Sequence, residues 1–464
     1  MTRVASMPAS YRATTGLILL TVVVILWAVW ASPAVFLHDY AEWLYQAKIL
    51  AAKLASPEQV TAFKLHTYPV PNSLSLYVMA LLHLVAPPFV TGKLYVTLYV
   101  AGWALVSRSF VRRFFADAGQ QVLAWCFILS ILCFSSFFYY GFTSYQLSLL
   151  LFLWFVTLFN RNMPLWQLAL FGVGMFFSHA VILICWTLLL GVALILWRGP
   201  WQWLAATLPT GLLSLAYLIG RFGGGSGGIP PESAWANFTE AAVYKAGMVT
   251  MQGPFKNFIL PAGDTLLEQA PIIYWLGVAA NVGVIGIFGV VALWALWQTW
   301  TSRDSLARDS IDLPLLGFVL LAVVIYIIGP HHFFGLVHPG GRMVLPTVIA
   351  ILALLSSSSI RLGLPLVAVA VTVTLCSALL YNRSVATVGS IAASIPVEAG
   401  SRPSAATRSV MAHNDWLYQN TRYKYYNYRV FLFPTRNEML KDGSFSGISF
   451  KTGPISDTKV KNPP

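Results

Sequence analysis

The 464-residue chain is laid out as long apolar runs separated by short polar stretches. Residues 15–37, 274–297, 315–328 and 364–380 contain no charged side chain at all. Runs of about 17–25 such residues can cross a hydrocarbon layer as helices, which satisfy their own backbone hydrogen bonds there. No dyad alternation suggests a barrel. The pattern predicts an all-α, polytopic transmembrane bundle. The run at 74–90 is short, bounded by Pro69 and Pro71 before it and Pro87 and Pro88 after it, and contains His83. It reads as a re-entrant or interfacial segment, which leaves about eleven crossings, with about thirteen as the upper bound. The first run follows Arg3 and Arg12, is too long for a signal core and lacks a small-residue cleavage site. It is expected to stay as the first transmembrane helix.

Composition strengthens this picture. The chain is 57% hydrophobic and 10% charged, with mean hydropathy +0.70, whereas soluble domains are about a quarter charged. A soluble globular domain of any size is excluded. The net charge of +13 does not point to nucleic acid, because the basic residues are dispersed in short loops. Arg108, Arg112 and Arg113 share one loop; Arg161, Arg198, Arg303 with Arg308, and Arg361 mark others. The positive-inside rule places these loops in the cytoplasm. The opposite loops, 38–71, 221–271 and 331–341, then lie outside. Residues 1–381 are expected to form the bundle, and 382–464 a short outer tail packed on it. Cys126, Cys133, Cys185 and Cys376 all lie in apolar runs with neither disulfide nor zinc spacing, as packing residues do. These features suit a bacterial inner (plasma) membrane with the active side periplasmic.

The acidic residues narrow the chemistry. None of the sixteen sits in the middle of an apolar run. Pumps and coupled transporters need an ionisable group near mid-bilayer, so chemistry at the outer interface is favoured instead. In the first outer loop, Asp39, Glu42, Gln46 and Ile49 follow helical spacing, while Trp43, Ala47, Leu50 and Leu54 line a second, apolar face. An interfacial helix opening with carboxylates is predicted. The long outer loop contains a glycine-rich hinge at 223–228 followed by Pro230 and Pro231.

Four stretches carry a family resemblance. Leu37-His38-Asp39-Tyr40 puts an acid directly after the first helix. His66-Thr67-Tyr68-Pro69-Val70-Pro71 precedes an aromatic-aliphatic helix. The long outer loop follows the seventh predicted crossing. His338-Pro339-Gly340-Gly341-Arg342 leads into a helix containing Pro346. In this order the features resemble the C-type glycosyltransferase superfamily, which includes protein O-mannosyltransferases and the lipid A aminoarabinose transferase. The chain departs from the pattern at Val70, which interrupts a proline pair. It also lacks an Asp-Xaa-Asp or Asp-Glu pair in the first loop, which leaves a divalent metal an open option and no metal ligand assigned.

The resemblance implies an enzyme that moves a sugar from a polyprenyl-phosphate donor to a hydroxyl of a lipid, glycan or protein acceptor. Such transfer needs a base for the attacking oxygen and positive charge for the departing phosphate. Asp39 is the candidate base; capping of the interfacial helix, with Glu42 three residues on, is the competing account. Arg342 is the candidate phosphate ligand, against an ordinary snorkelling arginine. His331, His332 and Lys245 are further candidates for phosphate, and Glu42, Tyr40, His338 and Tyr68 for substrate. Lys245 reads more readily as a solvated loop charge, and His179 as a hydrogen-bonded structural histidine. Two rival functions remain at this level. A polymerase or ligase of lipid-linked glycans would depend on outer-loop arginines, and a flippase or transporter would tolerate Asp39→Asn.

Overall fold

Each long apolar run becomes a helix, the conformation in which a lone segment bonds its own backbone away from water. The computed structural model describes residues 8–32, 35, 37, 40–56, 58, 63–197, 201–222, 245–247, 249, 253, 255, 270–302, 310–329, 332–333, 336–337, 339–394 and 455–457. In chain order the first helices are α1 (Ala9–Ala31), α2 (Tyr40–Ala55), α3 (Leu74–His83) and α4 (Pro88–Phe114). Next come α5 (Ala118–Ile128, continued as a π-helix over Leu129–Cys133), the single turn α6 (Ser136–Tyr139), α7 (Thr143–Leu158), α8 (Leu165–Ser178) and α9 (Ala180–Leu196). The remainder are α10 (Trp203–Phe222), α11 (Pro271–Thr301), α12 (Asp312–Ile328), α13 (Pro339–Leu355) and α14 (Leu364–Ser394). Two short antiparallel ribbons accompany them: β1 (Phe63–Leu65) with β4 (Ile455–Asp457), and β2 (His332–Phe333) with β3 (Leu336–Val337).

Hydrogen bonds between helix termini sort the bundle into two ends. At one end, Arg113 of α4 donates to the Thr157 and Phe159 carbonyls that close α7. Gln120 of α5 exchanges bonds of 3.2 and 2.9 Å with the backbone of Leu362, ahead of α14. Trp197, after α9, donates Nε1 to Ser310 ahead of α12, and Gln298 of α11 bonds Ser359. The basic residues Arg108, Arg112, Arg161 and Arg361 belong to these same connections. At the opposite end, Trp30 of α1 donates to Thr97 and accepts from Lys93 of α4, and Ser73 N donates to Phe177 O at the close of α8.

These contacts make α1, α4, α5 and α7–α14 run from end to end with alternating direction. The chain is a multi-pass membrane protein. α3 starts beside the end of α8 and leads into the start of α4, both at the same end, so the 74–90 segment does not cross. Five helices, α1, α4, α10, α11 and α14, are long and apolar enough to span on length alone. The others are shorter; α8, at 14 residues, rises about 21 Å against about 30 Å of hydrocarbon. α10 and α11 turn Leu212, Ile219, Ile272 and Leu293 outward, an apolar surface that lipid and not water covers.

Two features add detail to these expectations. Helix α2 is covered by its neighbours as well as lying in the first loop, with Leu44, Tyr45, Gln46, Ala47, Ile49 and Leu50 all buried. α3 and α4 close over it, and Gly92 of α4 permits the approach: a Cβ there would stand 2.9 Å from Leu44 Cδ2. Helix α14 continues to Ser394, past the expected boundary at 381, with Tyr381 and Val385 buried in the bundle. Beyond it, residues 455–457 pair antiparallel with β1, Lys64 opposite Ser456, so the far tail is joined to the first loop.

Candidate functional site

Three helices begin at one place. α7 starts at Thr143, α9 at Ala180 and α13 at Pro339. Each start carries the positive end of a helix dipole. Side chains from all three meet there. Arg342 Nη1 lies 2.8 Å from His179 Nε2, and Arg342 Cζ sits 5.2 Å from the centre of the Phe142 ring. Tyr145 donates its hydroxyl to the Arg342 carbonyl at 2.7 Å, and its ring packs edge-on against His179 at 5.2 Å.

Local sequence sets each of these positions. Gly141, at φ 69°, makes a turn that a side chain would strain, and the turn delivers Phe142 to the start of α7. His179 is the single residue between α8 and α9, with extended backbone, and its Nδ1 faces Val181 N at 3.2 Å as the cap of α9. Arg342 falls in the first turn of α13 because Pro339, which has no N–H to lose, opens that helix. Burial, with the adjacent guanidinium, holds the His179 ring well below the usual histidine pKa, so it is neutral. Three helix starts and a forked cation form a site suited to an oxyanion.

A cleft of about 250 Å³ adjoins this point. Its walls are aromatic, with Tyr95, Tyr99, Phe138 and Phe142 among them, and Leu37 and Tyr40 close one side. Gln146 supplies a polar wall but is already engaged: it accepts from Tyr99 Oη at 2.6 Å and donates to Ser135 Oγ at 2.8 Å.

The expected residues are distributed unevenly around this centre. Arg342 is in it. Asp39, His331 and His338 lie outside the described residues, as does the side chain of Glu42. His332 pairs through its backbone with Val337, in the short antiparallel ribbon of β2 and β3 ahead of α13. Tyr40 is buried, and its hydroxyl donates to Gly92 O at 2.7 Å. Burial and the nearby Tyr95 and Tyr381 keep that phenol protonated, with its pKa well above the usual value. Tyr68 stands apart from the cleft, 4.9 Å from His66 and 6.2 Å from Tyr217 of α10. Burial, and then the Arg221 charge, lower the His66 pKa. Lys245 donates to Ile327 O and Gly329 O at 2.5 and 3.0 Å, and Tyr326 donates to its carbonyl. Its ammonium closes the carbonyl end of α12 and ties the long loop to that helix.

Sequence reasoning did not find Phe142 and Tyr145, which sit among many aromatics with nothing to mark them. His179 carried a weak signal, a lone histidine between two apolar runs. Among the described residues, no group of three His, Cys, Asp or Glu stands together as metal ligands.

No family model matches the chain, and no curated protein matches it. Among solved structures it is similar to the crystal structure of ArnT from Cupriavidus metallidurans in the apo state. Identity is 16% and the TM-score 0.39, over 92% of this chain and 77% of that chain.

Proposed function

We propose that the protein is a membrane glycosyltransferase that moves a sugar from a polyprenyl-phosphate donor to an acceptor hydroxyl. The reaction takes place at the bundle end away from the basic loops, on the periplasmic side of a bacterial inner membrane. One observation carries this reading: the oxyanion site at Arg342 adjoins, through Phe142, an aromatic cleft that Leu37 and Tyr40 also line. Asp39 falls between those two residues in the chain. Transfer from a phosphate leaving group requires a base and a phosphate ligand, and in this reading Asp39 and Arg342 supply them. Arg342 holds the phosphate, and Asp39 takes the proton of the acceptor hydroxyl as its oxygen attacks the anomeric carbon. The sugar–phosphate bond breaks, and the prenyl phosphate leaves with the bonding pair. The aromatic walls exclude water and so protect the donor from hydrolysis.

The experiment is mass spectrometry of envelope glycans and glycolipids from wild type, a deletion strain, and the deletion complemented with Asp39→Asn at matched protein level. One sugar is expected to be absent from both the deletion and the Asp39→Asn strain, and its mass names the sugar and acceptor. A wild-type pattern restored by Asp39→Asn would remove Asp39 as the base and favour a flippase or a polymerase.

A further inference from the structure

A neutral imidazole has one N–H and one lone pair, whereas a guanidinium and a backbone N–H can only donate. Both ring nitrogens of His179 nevertheless face donors: Nε2 faces Arg342 Nη1 at 2.8 Å, and Nδ1 faces Val181 N at 3.2 Å. A neutral ring satisfies one of them at a time, and a protonated ring satisfies neither. With the proton on Nδ1, Nε2 accepts from Arg342 and the cap of α9 is lost. With the proton on Nε2, the cap is made, and Nε2–H and the guanidinium are two donors directed at one spot. The ring cannot turn away from this conflict, since His179 is 3% exposed and held edge-on by Tyr145. An anionic oxygen between Nε2 and Nη1 meets every demand at once, and the starts of α9 and α13 favour negative charge at that point.

We infer that His179 is a second ligand of the donor phosphate, binding one of its oxygens together with Arg342 and changing tautomer as it does so. This rests on the proposed polyprenyl-phosphate donor. Before phosphate binds, the Nδ1–H tautomer accepts from Arg342 and holds the guanidinium over Phe142. When phosphate enters, one proton leaves Nδ1 and one arrives at Nε2, with no net change in charge. Arg342 and Nε2–H both turn to the phosphate oxygen, and Nδ1 resumes capping α9. The site thereby gains a donor for the leaving phosphate without burying a further charge, which a titrating histidine could not do.

The test uses the full-length protein in lipid nanodiscs, labelled with ¹⁵N-histidine, with farnesyl phosphate as the probe and farnesol and inorganic phosphate as comparisons. The His179 resonances are assigned by their loss in His179→Gln. Saturation with farnesyl phosphate is expected to move the His179 pair from the Nδ1–H to the Nε2–H pattern, while farnesol leaves it unchanged. The two amide variants separate the two ring nitrogens. Gln places an amide where Nε2 was and should bind farnesyl phosphate within about three-fold of wild type. Asn keeps only the α9 cap and should bind about ten-fold or more weakly, the worth of one charge-assisted hydrogen bond. An unchanged tautomer at saturation, or Asn binding as wild type while Gln does not, would make His179 a helix cap only and overturn the inference, leaving the donor reading intact. If inorganic phosphate drives the switch and farnesyl phosphate does not bind, the phosphate ligand stands and the lipid-linked donor falls. If neither phosphate binds, both fall.

Discussion

Arg342 and His179, 163 positions apart in the chain, meet at 2.8 Å where α9 and α13 begin. A guanidinium in the first turn of a helix opposes the helix dipole, so its placement there runs against local electrostatics. The Phe142 face, the His179 lone pair and the Tyr145 hydroxyl bond to the Arg342 backbone offset that cost. Under the proposed function, residues so arranged keep a cation in place for the donor phosphate.

Substitution of Arg342 should therefore act on phosphate. Arg342→Gln is expected to weaken farnesyl phosphate binding about ten-fold or more, and Arg342→Lys by less. Lysine keeps the charge but loses the planar fork and the stack on Phe142. Isothermal titration on nanodisc-embedded protein reads both. Wild-type affinity in the Gln variant would make Arg342 an interfacial arginine and nothing more.

Tyr40 should matter for stability and not for sugar contact. Tyr40→Phe removes a buried hydrogen bond to Gly92 O, whose carbonyl keeps its bond within α4, a cost of about 0.5–1.5 kcal/mol. The expected result is a lower thermal midpoint in detergent, with activity per folded molecule retained. Lost activity at an unchanged midpoint would return Tyr40 to the substrate-binding role expected from sequence.

Acidification should lower stability through His83 of α3, whose buried ring is costly to charge. His83 Nε2 lies 3.3 Å from Leu44 O, and because a carbonyl only accepts, that nitrogen carries the proton. Burial pushes the His83 pKa down to about 4; the bond to Leu44 opposes this shift and Lys48 adds to it. The folded-state pKa lies below the unfolded value of about 6.5, so between the two the unfolded chain binds the extra proton. Stability is full above about pH 6.5 and declines as pH falls toward 4. His83→Gln should flatten that slope in melts recorded from pH 7 to 4.5; an unchanged slope would assign the loss to other groups.

The apolar runs alone determined that the chain is a membrane bundle, that 74–90 does not cross, and that the basic loops share one end. Hydrocarbon offers no partner for a backbone group or a charge, so hydropathy and Arg placement decide these matters locally. The Arg342 candidate was also legible, through its Gly-Gly-Arg approach to a proline-containing helix. Its partner was not, and neither were the roles of Tyr40 and Lys245. Tyr40 reads as exposed and aromatic until α4, bare of a side chain at Gly92, closes over it. Lys245 reads as a loop charge until the carbonyls of α12 arrive beside it. His179 meets Arg342 only because α9 and α13 pack with their starts level. Contacts of that kind depend on how helices distant in sequence come together, and only the tertiary structure decides them.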